Sequence, residues 1–195
     1  MFSLPNIASL TALVLKHRTS RPLLVALEGR CASGKTTLAA RLQEELQRAR
    51  PELLVNVFHL DDFFLRPEQR TATRLQKPGE NVDHERFLAE VLLPLSQSRP
   101  VLYRPYDCHT QTLQKAISVP ISDIAIVEGS YSCHPALSPY YQVRFLLDVE
   151  PDEQRQRLVK RNGEAGWKRF AELWIPLEER YFATLEAEFD ARLSL

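Results

Sequence analysis

A chain of 195 residues, 44% of them hydrophobic, has room for one domain with a sizeable core and not for several. Its 25 basic and 25 acidic residues cancel, which argues against a surface built for nucleic acid. Three cysteines are too few and odd in number for a disulfide framework, so a reducing, cytoplasmic setting is expected.

In chain order, the first predicted element is a short amphipathic helix carrying Leu10, Leu13 and Val14. It lacks the basic start of a signal peptide, and no apolar run approaches the ~20 residues of a membrane span. Leu23-Leu24-Val25-Ala26-Leu27 reads as a buried strand. It runs into Gly29-Arg30-Cys31-Ala32-Ser33-Gly34-Lys35-Thr36, a complete G-x-x-x-x-G-K-[ST] loop, and then into a helix with Leu38, Leu42 and Leu46 on one face, ended by Pro51. Strand, glycine loop and helix is the setting in which backbone N–H groups and a helix N-terminus wrap a nucleotide's phosphates. Residues Gly29 to Thr37 are therefore the candidate site for ATP or GTP. Within it Lys35 is expected to reach the β- and γ-phosphates, and Thr36 to offer its hydroxyl to Mg²⁺.

A second strand is expected over 53–58, finishing at His59-Leu60-Asp61-Asp62. Residues 65–83, with Pro67, Pro78 and Gly79 among charges, read as a mobile loop, and 84–93 as a helix. Val101-Leu102-Tyr103 and Ala116-Ile117-Ser118-Val119 suggest a hairpin inserted over about 99–121. Strands follow at 124–127 and 143–147, helices at 152–161 and 167–187, and a closing edge strand at 191–195. Alternating strands and helices make this an α/β three-layer sandwich of the P-loop NTPase kind, with a five-stranded parallel sheet and helices on both faces. The whole of 1–195 is read as one domain with a lid over about 151–166.

Three predicted strands end beside an acidic residue, namely Glu28, Asp61 with Asp62, and Glu128. In open α/β sheets such groups converge beyond the carboxyl ends of the strands. Phosphoryl transfer asks for positioning, charge neutralisation and a group to take the acceptor's proton. Asp61 is the candidate base. Glu128, ending an apolar strand, is the candidate Mg²⁺ residue with Thr36, and Asp61 lies close enough in this scheme to share the ion. Arg155, Arg157, Lys160 and Arg161 sit on one predicted helix. Arg157 and Arg161, four apart, share a face and could neutralise the transferring group from a closing lid; an ordinary solvated basic face is the other reading. Cys108-His109 and Cys133-His134 lack the ligand spacing of a local zinc clasp, and Trp167, Phe170 and Trp174 at helical spacing read as core.

From about Leu23 to Tyr181 the chain resembles the uridine kinase family, within the uridine kinase, phosphoribulokinase and pantothenate kinase group. The resemblance rests on the ordered set of the glycine loop, His59-Leu60-Asp61-Asp62-Phe63-Phe64, Asn81-Val82-Asp83-His84, Arg104-Pro105-Tyr106-Asp107 and Ile126-Val127-Glu128-Gly129, with the lid arginines after them. It implies transfer of the γ-phosphate of ATP to a small-molecule hydroxyl, the 5′-hydroxyl of a nucleoside such as uridine or cytidine first among them. Other small alcohols, such as a vitamin like pantothenate or nicotinamide riboside, or a sugar, remain alternatives. A nucleotide-dependent switch is a further one, weakened because no Asn-Lys-x-Asp guanine-reading stretch occurs. By the same resemblance Asp61 is the catalytic base, Asp83 binds the acceptor's ribose hydroxyls, and Tyr106 faces the acceptor. Asp83 also fits an N-cap of the 84–93 helix. Where the family has an aromatic and then a base-reading histidine, this chain has Cys108 and Gln111, with His109 the nearby histidine. The family also makes a homo-oligomer plausible, with neither membrane nor nucleic acid as partner.

Overall fold

The computed structural model describes residues 6–19 and 22–194. Its centre is a five-stranded parallel sheet in the order β2-β7-β1-β8-β9. These strands are β1 Leu23–Gly29, β2 Val55–His59, β7 Ile124–Glu128, β8 Val143–Asp148 and β9 Ala191–Ser194. All four ladders are parallel, and β9 closes the edge with Phe145 opposite Ala191 and Asp148 opposite Ser194. Both faces are covered, which is why β1 and β7 are continuous apolar runs with every residue buried. Leu23, Val25 and Leu27 point to a core shared with α1 (Ile7–Lys16) and α2 (Lys35–Ala49), through Leu10, Val14, Leu38, Leu42 and Leu46. Leu24 and Ala26 point the other way, to Phe58, Phe63, Phe87 and Tyr181.

The predicted architecture holds, with local differences. The second strand starts at Val55, because the Leu54 N–H donates to the Asp123 carboxylate and its carbonyl takes the Asp123 N–H, ending the turn there. The helix expected over 84–93 runs further, from His84–Phe87 through a π turn at Leu88–Leu92 to Leu93–Ser96; Pro94 lacks an N–H and loosens the ladder there. The expected hairpin has two tiers. Its base pairs β3 (Val101–Tyr103) with β6 (Ile117–Val119), and its tip pairs β4 (Tyr106–Asp107) with β5 (Thr112–Leu113). The helix Pro151–Arg169 breaks once, at Gly163 (φ 71°, ψ 175°). It then continues through a π turn at Phe170–Trp174 into the last helix, Ile175–Thr184.

The segment 65–83 is tied down along its length. Gln69 donates to the Asp83 carboxylate at 2.8 Å, and Arg74 pairs with Glu80 and Glu85. An antiparallel bridge joins Phe64 to Val82. Glu80, His84 and His134 bring three potential metal donors within 4.8 Å of one another. The Ala136 N–H, however, donates to Nδ1 of His134 at 3.2 Å, so in the neutral ring the proton sits on Nε2, the nitrogen facing Glu80. With Arg74 also paired to the carboxylates, the cluster fastens this segment to the turn at 131–137. Cys133, its neighbour, is buried in the core.

Candidate active site

The end of β1 enters the glycine loop beneath β8. A Cβ at Gly29 would fall 2.2 Å from the Leu147 carbonyl oxygen, so only glycine fits that approach. Gly34 takes φ 98° to start α2, a left-handed conformation that a residue without a Cβ adopts easily. Cys31, Ala32, Gly34, Lys35, Thr36 and Thr37 line one end of a cleft of about 1180 Å³. Of the remaining predicted loop residues, Ser33 is buried, and Arg30 turns away to pair with Asp148 and Glu179.

Lys35 is 7% exposed, and its ammonium donates back to the carbonyls of Gly29 (2.9 Å) and Arg30 (2.7 Å) and to the Ser130 hydroxyl (3.3 Å). The Thr36 hydroxyl donates to Glu128 Oε1 at 3.1 Å, and His59 Nδ1 lies 2.6 Å from the same oxygen. That bond raises the His59 pKa against the opposing effect of burial. Parallel pairing of β1, β7 and β2 brings the three strand ends side by side and so assembles this cluster. A hydroxyl and a carboxylate at contact distance beside the loop are the hard oxygen donors that suit Mg²⁺.

Asp61, in the 3₁₀ turn Leu60–Phe63 that follows β2, lines the same cleft. Its side chain is exposed, yet enough protein crowds around it that desolvation raises its pKa above the usual carboxylate value. The Lys35 ammonium pulls the other way, Glu128 adds to the rise, and Arg161 and His59 oppose it. From the lid, Arg157 donates to the Ala32 and Ser33 carbonyls at 3.1 and 3.2 Å while paired to Glu153, and Arg161 lines the cleft. Arg155 and Lys160 face a separate shallow groove, with Arg155 over the Trp167 ring, so half of the basic helix is ordinary surface.

Several expected site residues stand elsewhere. Glu28 does not reach the cleft; fully buried, it accepts the N–H groups of Gly29, Tyr131 and Cys133 and the Tyr181 hydroxyl. Burial raises its pKa, with the donors opposing. Four donors need an acceptor-only side chain, so Glu28→Gln, which turns an NH₂ toward some of them, is expected to destabilise the protein by about 3 kcal/mol, lowering Tm by roughly 6–12 °C. A calorimetric shift under about 2 °C would show that the four bonds contribute little. Asp83, 2% exposed, caps its helix by accepting the Arg86 N–H at 3.1 Å and is held by Gln69; it sits behind the cleft wall. Tyr106 is buried, with its hydroxyl accepting from Arg70. His109 is exposed at the hairpin tip, while Cys108 and Gln111 line the cleft. Phe170 and Trp174 are not core: they line the cleft with Leu173 from the π turn ahead of the last helix, whose Leu177 and Tyr181 are the apolar and aromatic residues that are buried. His59, Ser130, Tyr131 and Glu178 were not legible as site residues, since no motif spacing links them to the loop. A short polar residue two positions after the strand-end acid, as Ser130 is after Glu128 and Gly129, was the one available hint.

No protein-family profile matches the chain. It is 27% identical over 152 residues to a uridine kinase of Alkaliphilus metalliredigens, covering 74% of this chain and 70% of that one. Among solved structures, one from Bacillus stearothermophilus described as a possible uridine kinase superposes with a TM-score of 0.72 at 24% identity, covering 96% of each chain. The D-glycerate 3-kinase of Cryptococcus neoformans reaches a TM-score of 0.69 at 13% identity, covering 99% of this chain and 96% of that one, a likeness of fold alone. The chain is similar in sequence to uridine kinases and has the fold of a P-loop kinase. As a kinase it is a phosphotransferase, and a nucleotide with Mg²⁺ is the general requirement of that class. Among the described residues no helix of this kinase is long and apolar enough to cross a membrane.

Proposed function

We propose that this kinase transfers the γ-phosphate of ATP to the 5′-hydroxyl of a ribonucleoside of the uridine or cytidine type. The observation that carries the reading is the convergence on one cleft of Lys35, the Thr36–Glu128 pair and Asp61. Residues 29–37 would hold the triphosphate, with Lys35 leaving the Gly29 and Arg30 carbonyls for its β- and γ-oxygens. Thr36 and Glu128 would hold Mg²⁺, and Asp61 stands close enough to the cleft's centre to share it. The ion's contribution is to neutralise charge on the phosphate oxygens. Asp61 takes the acceptor's proton. Arg157 and Arg161 stabilise the charge that spreads over the phosphoryl oxygens, as donors fixed beforehand in the site. The likeness to a uridine kinase supports a nucleoside acceptor, entering between Tyr131, Phe64 and Trp174, with Gln111 as the polar group on that wall. Asp83, Tyr106 and His109 take part only if the hairpin and the 65–83 segment shift toward the substrate.

A second reading, a kinase for another small alcohol, draws on one observation: Asp83, the carboxylate a cis-diol needs, is held by Gln69 and the Arg86 N–H instead of facing the cleft. The deciding experiment offers Mg·ATP with uridine, cytidine, purine and deoxynucleosides, nicotinamide riboside, pantothenate, glycerate and sugars, with products read by mass spectrometry. A nucleoside monophosphate is the expected product; phosphorylation of a non-nucleoside alone would replace the first reading with the second.

A further inference from the structure

The last helix grips the phosphate loop from behind. Tyr181 donates to Glu28, Glu179 pairs with Arg30, and the Arg30 guanidinium lies 4.8 Å over the Phe182 ring. Glu178 goes further in. Its Oε1 accepts the Cys31 N–H at 2.8 Å and lies 3.1 Å from the Ser130 hydroxyl. Ser130 Oγ is in turn 3.3 Å from Lys35 Nζ and 3.1 Å from the Gly29 carbonyl oxygen. An ammonium only donates, so Ser130 accepts from Lys35, and its single proton goes to Glu178 or Gly29. With the proton on the carboxylate side, the line runs from Lys35 through Ser130 to Glu178.

Packing alone does not account for a carboxylate here. Glu178 is 3% exposed, and its Oε2 is buried with no hydrogen-bond partner. A half-satisfied carboxylate in the interior is unfavourable for the fold. Burial accordingly raises its pKa, while the Lys35 charge opposes the rise. The acceptor geometry of Glu178 is thus directed at the loop and, through Ser130, at the lysine.

We propose that Glu178 is a positioning residue for Lys35, holding the Cys31 amide and, through the Ser130 hydroxyl, the direction of the ammonium. The inference rests on Lys35 being the cation that meets the nucleotide's phosphates. Trp174, one turn upstream on the same helical run, lines the cleft, so the helix that carries Glu178 also contributes to the cleft wall.

An acyl-phosphate ester of ATP tests this without knowledge of the acceptor. The Lys35 ammonium first gives one proton to solvent; the free amine attacks the acyl carbonyl and forms an amide, ATP leaves with the bonding electrons of the broken C–O bond, and the nitrogen's second proton goes to solvent. Mass spectrometry of the loop peptide follows the rate at saturating probe. The wild-type chain should label at Lys35 and be protected by Mg·ATP. E178A should label about tenfold more slowly or worse, with half-saturation moved less than about threefold, because misdirection affects the reactive geometry more than binding. E178Q, whose amide oxygen can accept both bonds, should stay within about threefold of wild type. S130A should match E178A, and the double variant should be no slower than the worse single one, as for two residues acting through one line. S130A carries the test if E178A fails to fold. Labelling of the folded E178A at the wild-type rate, or of E178Q as slowly as E178A, overturns the proposal. An unlabelled wild-type chain is a different result: it removes the nucleotide reading, and this inference with it.

Discussion

Lys35→Ala is expected to lower phosphoryl transfer by about a thousandfold or more while leaving the protein folded. The loss follows from where the charge develops. In the loose transition state of phosphoryl transfer, negative charge spreads over the oxygens of the moving group, and a cation already in place needs no reorganisation to meet it. Lys35 is nearly buried, and its ammonium rests on two loop carbonyls and a hydroxyl, partners it would exchange for phosphate oxygens without moving out of the loop. Truncation removes that charge from a partly dehydrated cleft, where it matters more than in water. The structural cost is smaller: three hydrogen bonds at the cleft edge, whose carbonyls can turn to water. A stability loss of about 1–2 kcal/mol, or a few degrees in Tm, is expected for a chain of this size. Product formation and melting temperature, measured on the same preparation, separate the two effects. Turnover above about a tenth of wild type, with the fold intact, would remove Lys35 from the mechanism.

Asp61→Asn is expected to cut turnover by about 10²- to 10⁴-fold while nucleotide affinity changes little. The substitution keeps shape and hydrogen-bonding size but cannot accept a proton, so it separates base catalysis from binding. Asp61 sits on the turn after β2, on the acceptor side of the loop residues that would hold the triphosphate. Desolvation raises its pKa, with Lys35 opposing. The base acts deprotonated, so the acid limb of kcat/KM should lie above the ordinary carboxylate range. Activity should fall as pH drops through that raised value, and the limb should vanish in the asparagine variant. Titration of ATP binding gives the control. Near wild-type turnover by Asp61→Asn would assign the proton to another acceptor, and a lost nucleotide affinity would make Asp61 a binding group.

Much of the site was legible because it is local. The glycine loop, the strand before it and the helix after it are contiguous, so one stretch of chain specifies backbone geometry, anion-facing N–H groups and the lysine together. Asp61 and Glu128 were legible because apolar runs mark where strands end, and strand ends of a parallel sheet meet on one side. Asp83 had two readings from its position ahead of a helix, and the structure displays the cap.

Residues that speak to the loop from a distance were not legible. Glu28 shares the strand-end position of Asp61 and Glu128, but it meets two N–H groups and a tyrosine hydroxyl brought to it by the turn at 131–133 and the last helix. Nothing in its neighbours along the chain marks that difference. Phe170 and Trp174 have the spacing of core residues, since periodicity records that a helix has an apolar face but not what that face meets. By itself, then, the sequence determined the sheet, the loop and the acids at the strand ends, because those depend on period, backbone freedom and chain order. Only the tertiary structure decided which buried carboxylate supports the fold, which one stands behind Lys35 and which aromatics wall the cleft, because burial and charge partners arise from packing between segments more than a hundred residues apart.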